Sequence, residues 1–414
     1  MRGLMRWPSV MVGTLLIASC VHAPPTSPVA DRHVGAVEAG SASDERASLV
    51  GAALSLPGLV NDNYAYLEGL PGGTFALTPQ LEAEARAIEN RSDLLRFLER
   101  SLMLLADHHA HTGSSFADSW ALVPSYSDLW VERQGSGHVV TDVRAASPAA
   151  SAGIEPGDRI TGVGGVPIDA AISAFWSDLG TVQTRDREAF SARVLLAGRR
   201  DRSRRLSVQT AGGEERDLEL PSLYEQASGN EPLGATRNGN TLTVRFFNSL
   251  GNTATIAAFD REMNAARDAD RVILDLTDTP GGGNTTVARA IMGWFADAPT
   301  AYQMHEWPAE ERRSGIVRRW QEWVLPRAGM HFDGSVEVRV GRWTGSMGEG
   351  LAIGMAELGA CISGRPMAGL LGAITGYELG GVTVRFPFER LSTVDGTPRE
   401  AFVPNVSCPA DTAD

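Results

Sequence analysis

Twice in this chain an apolar run of β character breaks into glycines and resumes as a helical pattern. The first run is Arg271-Val272-Ile273-Leu274-Asp275-Leu276. It is followed by Thr279-Pro280-Gly281-Gly282-Gly283 and by a helical pattern from Thr285 to Phe295. The second is Ser335-Val336-Glu337-Val338-Arg339-Val340, then Thr344-Gly345-Ser346-Met347-Gly348-Glu349, then a helical pattern carrying Leu351, Ile353, Met355, Ala356 and Leu358. Strand, tight loop and helix, repeated in that order, predict an α/β core. The loops also bear on chemistry. Glycines let the chain turn sharply and let a substrate approach the backbone. A helix N-terminus offers free N–H groups and the positive end of the dipole to a developing negative charge. Ser346 stands at such a place, where a serine either caps the helix or acts as a nucleophile.

The 414 residues suggest two or three domains. The balance of 43% hydrophobic and 21% charged residues is that of an ordinary globular protein. A formal net charge of -13 argues against general nucleic-acid binding. All 37 residues of the Lys+Arg count are arginine, so the chain has no lysine.

Together the two units resemble the carboxyl-terminal processing peptidases and their tricorn-like relatives. In that family a strand ends in a Pro-Gly-Gly loop, and a nucleophilic serine lies downstream in a Thr-x-Ser-x-Gly-Glu setting. The resemblance implies an α/β, crotonase-like catalytic core over residues 223–414, preceded by an N-terminal helical subdomain at 48–122. Residues 123–222 resemble a β-rich PDZ domain inserted between them. That likeness is carried by Val139-Val140-Thr141-Asp142-Val143 and by Ser147 through Ile160 with its Pro156-Gly157-Asp158 turn. Such domains add an extended peptide to a sheet edge. Ser127-Asp128-Leu129-Trp130 stands where a Gly-rich carboxylate-binding loop is usual, which puts recognition of C-terminal tails in question. The basic run Arg199 to Arg205 reads as a solvated loop. Residues 226–240 read as a linker.

Residues 1–19 read as an export signal, with Arg2 and Arg6 ahead of a short apolar run. Ile17-Ala18-Ser19-Cys20 resembles a bacterial lipobox. This implies lipidation of Cys20, a membrane anchor and a periplasm-facing place in the cell envelope, with inner or outer membrane undecided. Residues 20–47, rich in Ala, Pro, Ser and Gly, read as a flexible tether. In an oxidising compartment the remaining cysteines, Cys361 and Cys408, are free to pair. They lack metal-site spacing.

A serine nucleophile needs a base. The processing peptidases use a Ser/Lys dyad, which a chain without lysine excludes, and arginine stays protonated in proteins. The tricorn-like type uses histidine. Leu105-Ala106-Asp107-His108-His109-Ala110-His111-Thr112 resembles the family junction Leu-x-Asp-x-His-Thr in two registers, one placing His109 and the other His111. The expectation is Ser346 as nucleophile with His109 as base and His111 second. The third member is open among Glu349, Glu378 and Glu400. Backbone N–H groups of Met347 and of Gly281 or Gly282 would form the oxyanion hole. Asn405 stands where the family's closing Pro-Asp motif has an acid. Neither metal nor cofactor is expected. The expected partners are peptide or unfolded-protein substrates and the membrane, and the sequence leaves the oligomeric state open. Two rivals stand beside this reading: an inactive peptide-binding scaffold on the same fold, and a metal site at His109 and His111.

Overall fold

The computed structural model describes residues 37–225 and 231–408. The expected signal segment and Cys20 lie outside them. The chain divides into two compact units, residues 1–44 and 45–414. Of the first, only residues 37–44 are described, and they are helical. The helix Val37–Asn63 therefore begins inside the stretch expected to be tether. Its opening Val37-Glu38-Ala39 and the later Glu45-Arg46-Ala47 include good helix formers, and these prevail over the intervening Gly and Ser.

Within the second unit the expected α/β core is a five-stranded sheet ordered Cys361–Gly364, Ser335–Val340, Arg271–Asp275, Thr241–Phe246, Leu233–Asn238. All neighbours are parallel except the last pair. Leu233–Asn238 falls in the expected linker but forms a hairpin with Thr241–Phe246, closed by Gly239 at φ 57. The Gly239-Asn240 pair that reads as linker is the turn itself. Helices Ala254–Ala265, Thr285–Met292 and Met347–Glu357 accompany this sheet. Val244, Val272, Leu274, Val338, Val287, Ile291, Leu351 and Met355 are all buried in one apolar cluster with it. Only the central strand Arg271–Asp275 carries a continuous apolar run, Val272-Ile273-Leu274, while Thr241–Phe246 and Ser335–Val340 alternate and turn their apolar residues mainly to one face.

A second apolar cluster joins the N-terminal helices (Leu56, Val60, Leu81, Leu94, Leu98) to Leu129, Val131, Phe175 and Trp176 of the PDZ-like region and to Val384 and Phe386. Residues 129–220 supply an antiparallel sheet ordered Leu129–Gln134, Gly137–Val143, Arg159–Val163, Arg204–Gln209, Glu215–Leu220. A further antiparallel sheet pairs His111–Thr112 with Val382–Ser392.

The basic run is only partly solvated. Arg204 is buried, with Nη2 donating to Asp128 Oδ1 at 2.5 Å, and Arg199 lies over the Trp120 ring at 3.7 Å. Arg202 and Arg205 remain exposed. An arginine stem covers apolar surface well, and the guanidinium stacks on aromatic faces, so a run of arginines need not face water.

The candidate active site

Two short parallel bridges, Asp278 with Trp343 and Thr279 with Thr344, bring the two glycine loops side by side. Thr344 Oγ1 donates to the Leu276 carbonyl at 2.7 Å, and the Gly345 N–H donates to the Thr279 carbonyl at 3.0 Å. The fit has no slack. A Cβ on Gly345 would lie 2.4 Å from the Pro280 oxygen, and one on Gly283 would lie 2.0 Å from the Met347 Cβ.

The turn between Thr344 and the helix Met347–Glu357 puts Ser346 at φ 52, ψ -113. For a residue with a Cβ this is strained, at a cost of about 1–3 kcal/mol. The Glu349 carboxylate helps to hold it, its Oε2 accepting the Ser346 backbone N–H at 2.8 Å, as the acid of a capping box does. The serine hydroxyl is thereby aimed at His109, whose Nε2 lies 3.1 Å from Ser346 Oγ.

His109 is reached from the other side of the unit. Ala106 at φ 50 ends the short helical turn Met103–Leu105. Asp107 then anchors the backbone at His109. Its Oδ1 accepts the His109 backbone N–H at 2.8 Å, and its Oδ2 accepts the Tyr64 hydroxyl at 3.0 Å. The His109 Nδ1–H donates to the Leu371 carbonyl at 2.7 Å. That contact assigns the tautomer: with the proton on Nδ1, Nε2 presents its lone pair to the serine O–H.

The other histidines face elsewhere. His108 is half-buried and stacks on Phe190 at 4.6 Å. His111 donates through Nδ1 to the Thr112 carbonyl at 2.8 Å in its strand. Among the described residues, the three-ligand group that does converge is elsewhere in the chain and includes neither His109 nor His111.

Of the three acids, none touches the His109 ring. Glu349 is fully buried, and besides Ser346 its Oε1 accepts the Gly369 N–H at 2.8 Å. Arg399 Nη2 lies 3.8 Å from Glu349 and donates to the Leu370 and Gly372 carbonyls at 2.8 and 2.9 Å. Glu349 and Arg399 therefore hold residues 369–372 as a strap, and Leu371 is in its middle. Glu378 accepts from Thr383 on an outlying hairpin. Glu400 has Oε2 buried without a hydrogen-bond partner, and it adds to the burial that pushes Tyr66 upward.

Burial governs the charges. It pushes His109 down to about 3, with Arg399 adding to the effect, and pushes Glu349 and Asp107 each up to about 7. A buried imidazole resists protonation, so its proton leaves at lower pH and the ring is neutral from weak acid upward. We expect NMR of the His109 ring to show neutral Nδ1–H imidazole still at pH 5.5. A titration midpoint near 6.5 would contradict this.

Of the expected oxyanion donors, the Gly281 N–H is occupied by Asn248 Oδ1 at 3.0 Å. Among the described residues, the Gly282 and Met347 N–H groups make no hydrogen bond. Met347 opens its helix, so no carbonyl lies one turn back to receive it. Gly283→Ala forces Met347 aside, and we expect kcat/KM to fall at least about tenfold, since removing one such donor typically costs about 3 kcal/mol. Steady-state kinetics on the folded variant checks this.

Asp107, Tyr64, Asn248, Arg399 and the Leu371 carbonyl are site components that sequence reasoning missed. Only Asp107, within the His-rich junction, carried any signal. The PDZ-like region abuts the two loops. Trp343 Nε1 donates to the Ser127 carbonyl at 2.7 Å, and Arg144 Nε and Arg245 Nη2 both bind Asp278, at 2.7 and 3.0 Å. Asp128 Oδ2 also accepts the Ala149 N–H at 3.0 Å. The segment at the place of a carboxylate-binding loop is thus already engaged in packing.

Residues 139–174 match the PDZ domain family. No curated protein matches the chain by sequence. Among solved structures, the chain is similar to a photosystem II D1 C-terminal processing protease, with 17% identity, 87% of this chain and 92% of that one covered, and a TM-score of 0.52. It is similar to mature CPAF, at 14% identity, 87% and 92% coverage and a TM-score of 0.55. It is similar also to mature CPAF complexed with lactacystin, at 13% identity, 87% and 93% coverage and a TM-score of 0.54. At these identities the likeness shows a shared mixed α/β fold.

Proposed function

We propose that this chain is a serine peptidase that hydrolyses peptide bonds of peptides or unfolded proteins through an acyl-enzyme. The observation that carries the reading is the 3.1 Å contact of Ser346 Oγ with a His109 Nε2 whose opposite nitrogen is held by the Leu371 carbonyl. A neutral imidazole in that tautomer takes the serine proton as Oγ attacks the substrate carbonyl carbon. The tetrahedral oxyanion forms beside the N–H groups of Met347 and Gly282. The imidazolium then gives its proton to the leaving amine, and the C–N bond breaks. Water, deprotonated by the same Nε2, releases the acyl group and regenerates Ser346.

The third partner of the imidazole is then a backbone carbonyl, in place of a carboxylate. It fixes orientation but offers the imidazolium a dipole in place of a full charge. We read Glu349 as the residue that shapes the turn and the strap, one step removed from the ring. The lipobox-like Ile17-Ala18-Ser19-Cys20 and the Cys361–Cys408 disulfide support a lipid-anchored protein in an oxidising, periplasm-facing compartment.

The test is cleavage of unfolded protein and peptide mixtures by wild type and by folded Ser346→Ala and His109→Gln. Loss of cleavage in both variants supports the proposal. Undiminished cleavage by Ser346→Ala would place the activity elsewhere, and a wild type that binds unfolded chains without cutting them would favour a scaffold.

A further inference from the structure

Away from the serine, the PDZ-like region gathers a second constellation. His138 lies on the strand Gly137–Val143, Asp169 in the first turn of the helix Ile168–Asp178, and Glu188 on the helix Arg185–Ala197. One ligand atom from each lies within 4.8 Å of the other two. His138 Nε2 is 3.1 Å from Glu188 Oε1, and His138 Nδ1 is 3.7 Å from Asp169 Oδ1. The imidazole is 2% exposed, yet neither ring nitrogen has an aligned hydrogen-bond partner. Leaving a buried polar group unpaired costs about 1–3 kcal/mol. Two carboxylates beside a buried imidazole concentrate negative charge, which a cation between them would neutralise.

Arg133 Nη1 supplies part of that cation, at 2.7 Å from Asp169 Oδ1 and 2.6 Å from Glu188 Oε1. It leaves His138 unpaired. Its side chain is 38% exposed, so solvent lies open to it if a metal displaces it.

We propose that His138, Asp169 and Glu188 form a zinc site, with Arg133 as the counter-cation when no metal is bound. One imidazole nitrogen and two carboxylate oxygens make a ligand set that zinc accepts. Bonds of about 2.1 Å in tetrahedral geometry require ligand atoms about 3.4 Å apart, so the three atoms, now within 4.8 Å of one another, must draw in on binding. Asp169, 59% exposed, leaves the group open to solvent on its side. Bound there, the ion cross-links one strand and two helices. One of these helices, Arg185–Ala197, packs on Leu129–Gln134, one of the two edge strands of the PDZ-like sheet. A bound ion would therefore set how firmly that helix is held against this edge strand.

The experiment is calorimetric titration of the chelator-stripped full chain with zinc chloride, together with cobalt(II) absorption as a report on coordination geometry. The expected result is one saturable site per chain and a tetrahedral cobalt spectrum. His138→Ala, Glu188→Gln and Asp169→Asn should each weaken binding at least about tenfold. Asp169 is exposed, so its variant keeps the test clear of folding defects. Arg133→Met should bind more tightly than wild type. The proposal is overturned if neither wild type nor Arg133→Met binds zinc saturably, or if Asp169→Asn and His138→Ala bind as wild type does.

Discussion

Ser346→Ala and His109→Gln should each lower kcat by about 10⁴ to 10⁶, and the double variant should be little worse than either alone. Nucleophile and base act as a unit, so removing one already removes what the other contributes. The size is set by the machinery left intact. Oxyanion donors and substrate binding continue to stabilise the transition state, so residual rates stay above those in water. His111→Gln belongs beside them as a control. Its Nδ1 is committed to the Thr112 carbonyl, and it makes no contact with Ser346. It should leave kcat/KM within about threefold of wild type. Should His111→Gln instead be the inactive one, the base has been assigned to the wrong register. Each rate should be read alongside a circular dichroism spectrum.

Arg399→Met should cost about 3–5 kcal/mol of stability, because it strands the buried Glu349 carboxylate without its counter-charge. Arg399 is 3% exposed and Glu349 0%, so water does not replace the lost partner. The same substitution frees the Leu370 and Gly372 carbonyls, and the Leu371 carbonyl between them loses its fixed position. Activity should therefore fall with stability. Glu349→Gln combined with Arg399→Met separates the two effects. With no charge left to strand, much of the stability should return, while the slackened strap should keep kcat low. Urea unfolding and kinetics on the three variants decide this. An Arg399→Met protein as stable as wild type would show that the carboxyl sits neutral in the native state and needs no arginine. Burial pushes Glu349 toward that outcome and Arg399 pulls against it.

The α/β core was legible because apolar strands and glycine breaks are local signals. Ser346, Met347 and the Pro-Gly-Gly loop come from such signals, and the structure places them against one another. The choice between His109 and His111 was not legible. Both fit a motif register, and only the αL turn at Ala106 and the Asp107 bond to the His109 backbone decide which ring points inward. Glu349 shows another limit. Its spacing from Ser346 identified a residue that matters to the turn, but a spacing cannot tell a carboxylate that orients a ring from one that receives backbone N–H groups. The Leu371 carbonyl left no trace at all, because a backbone atom acts through position and any side chain would serve. Leu233–Asn238 read as a linker because its Gly and Asn are turn residues, and in a hairpin the turn is part of the sheet. The basic run misled for a related reason. Charge predicts solvent exposure on average, but Arg204 has a buried carboxylate, Asp128, waiting for it.

The central claim is that Ser346 is a nucleophile made reactive by His109. A fluorophosphonate probe reacts far faster with such a serine than with an ordinary hydroxyl. Incubation of the folded protein with the probe, followed by digestion and mass spectrometry of the peptides, tests it in one step. The expected result is a single phosphonyl adduct on Ser346, formed rapidly by wild type and slowed by at least about a thousandfold in folded His109→Gln. An unmodified Ser346 in wild type, or labelling of Ser346 at the same rate in His109→Gln, would contradict it.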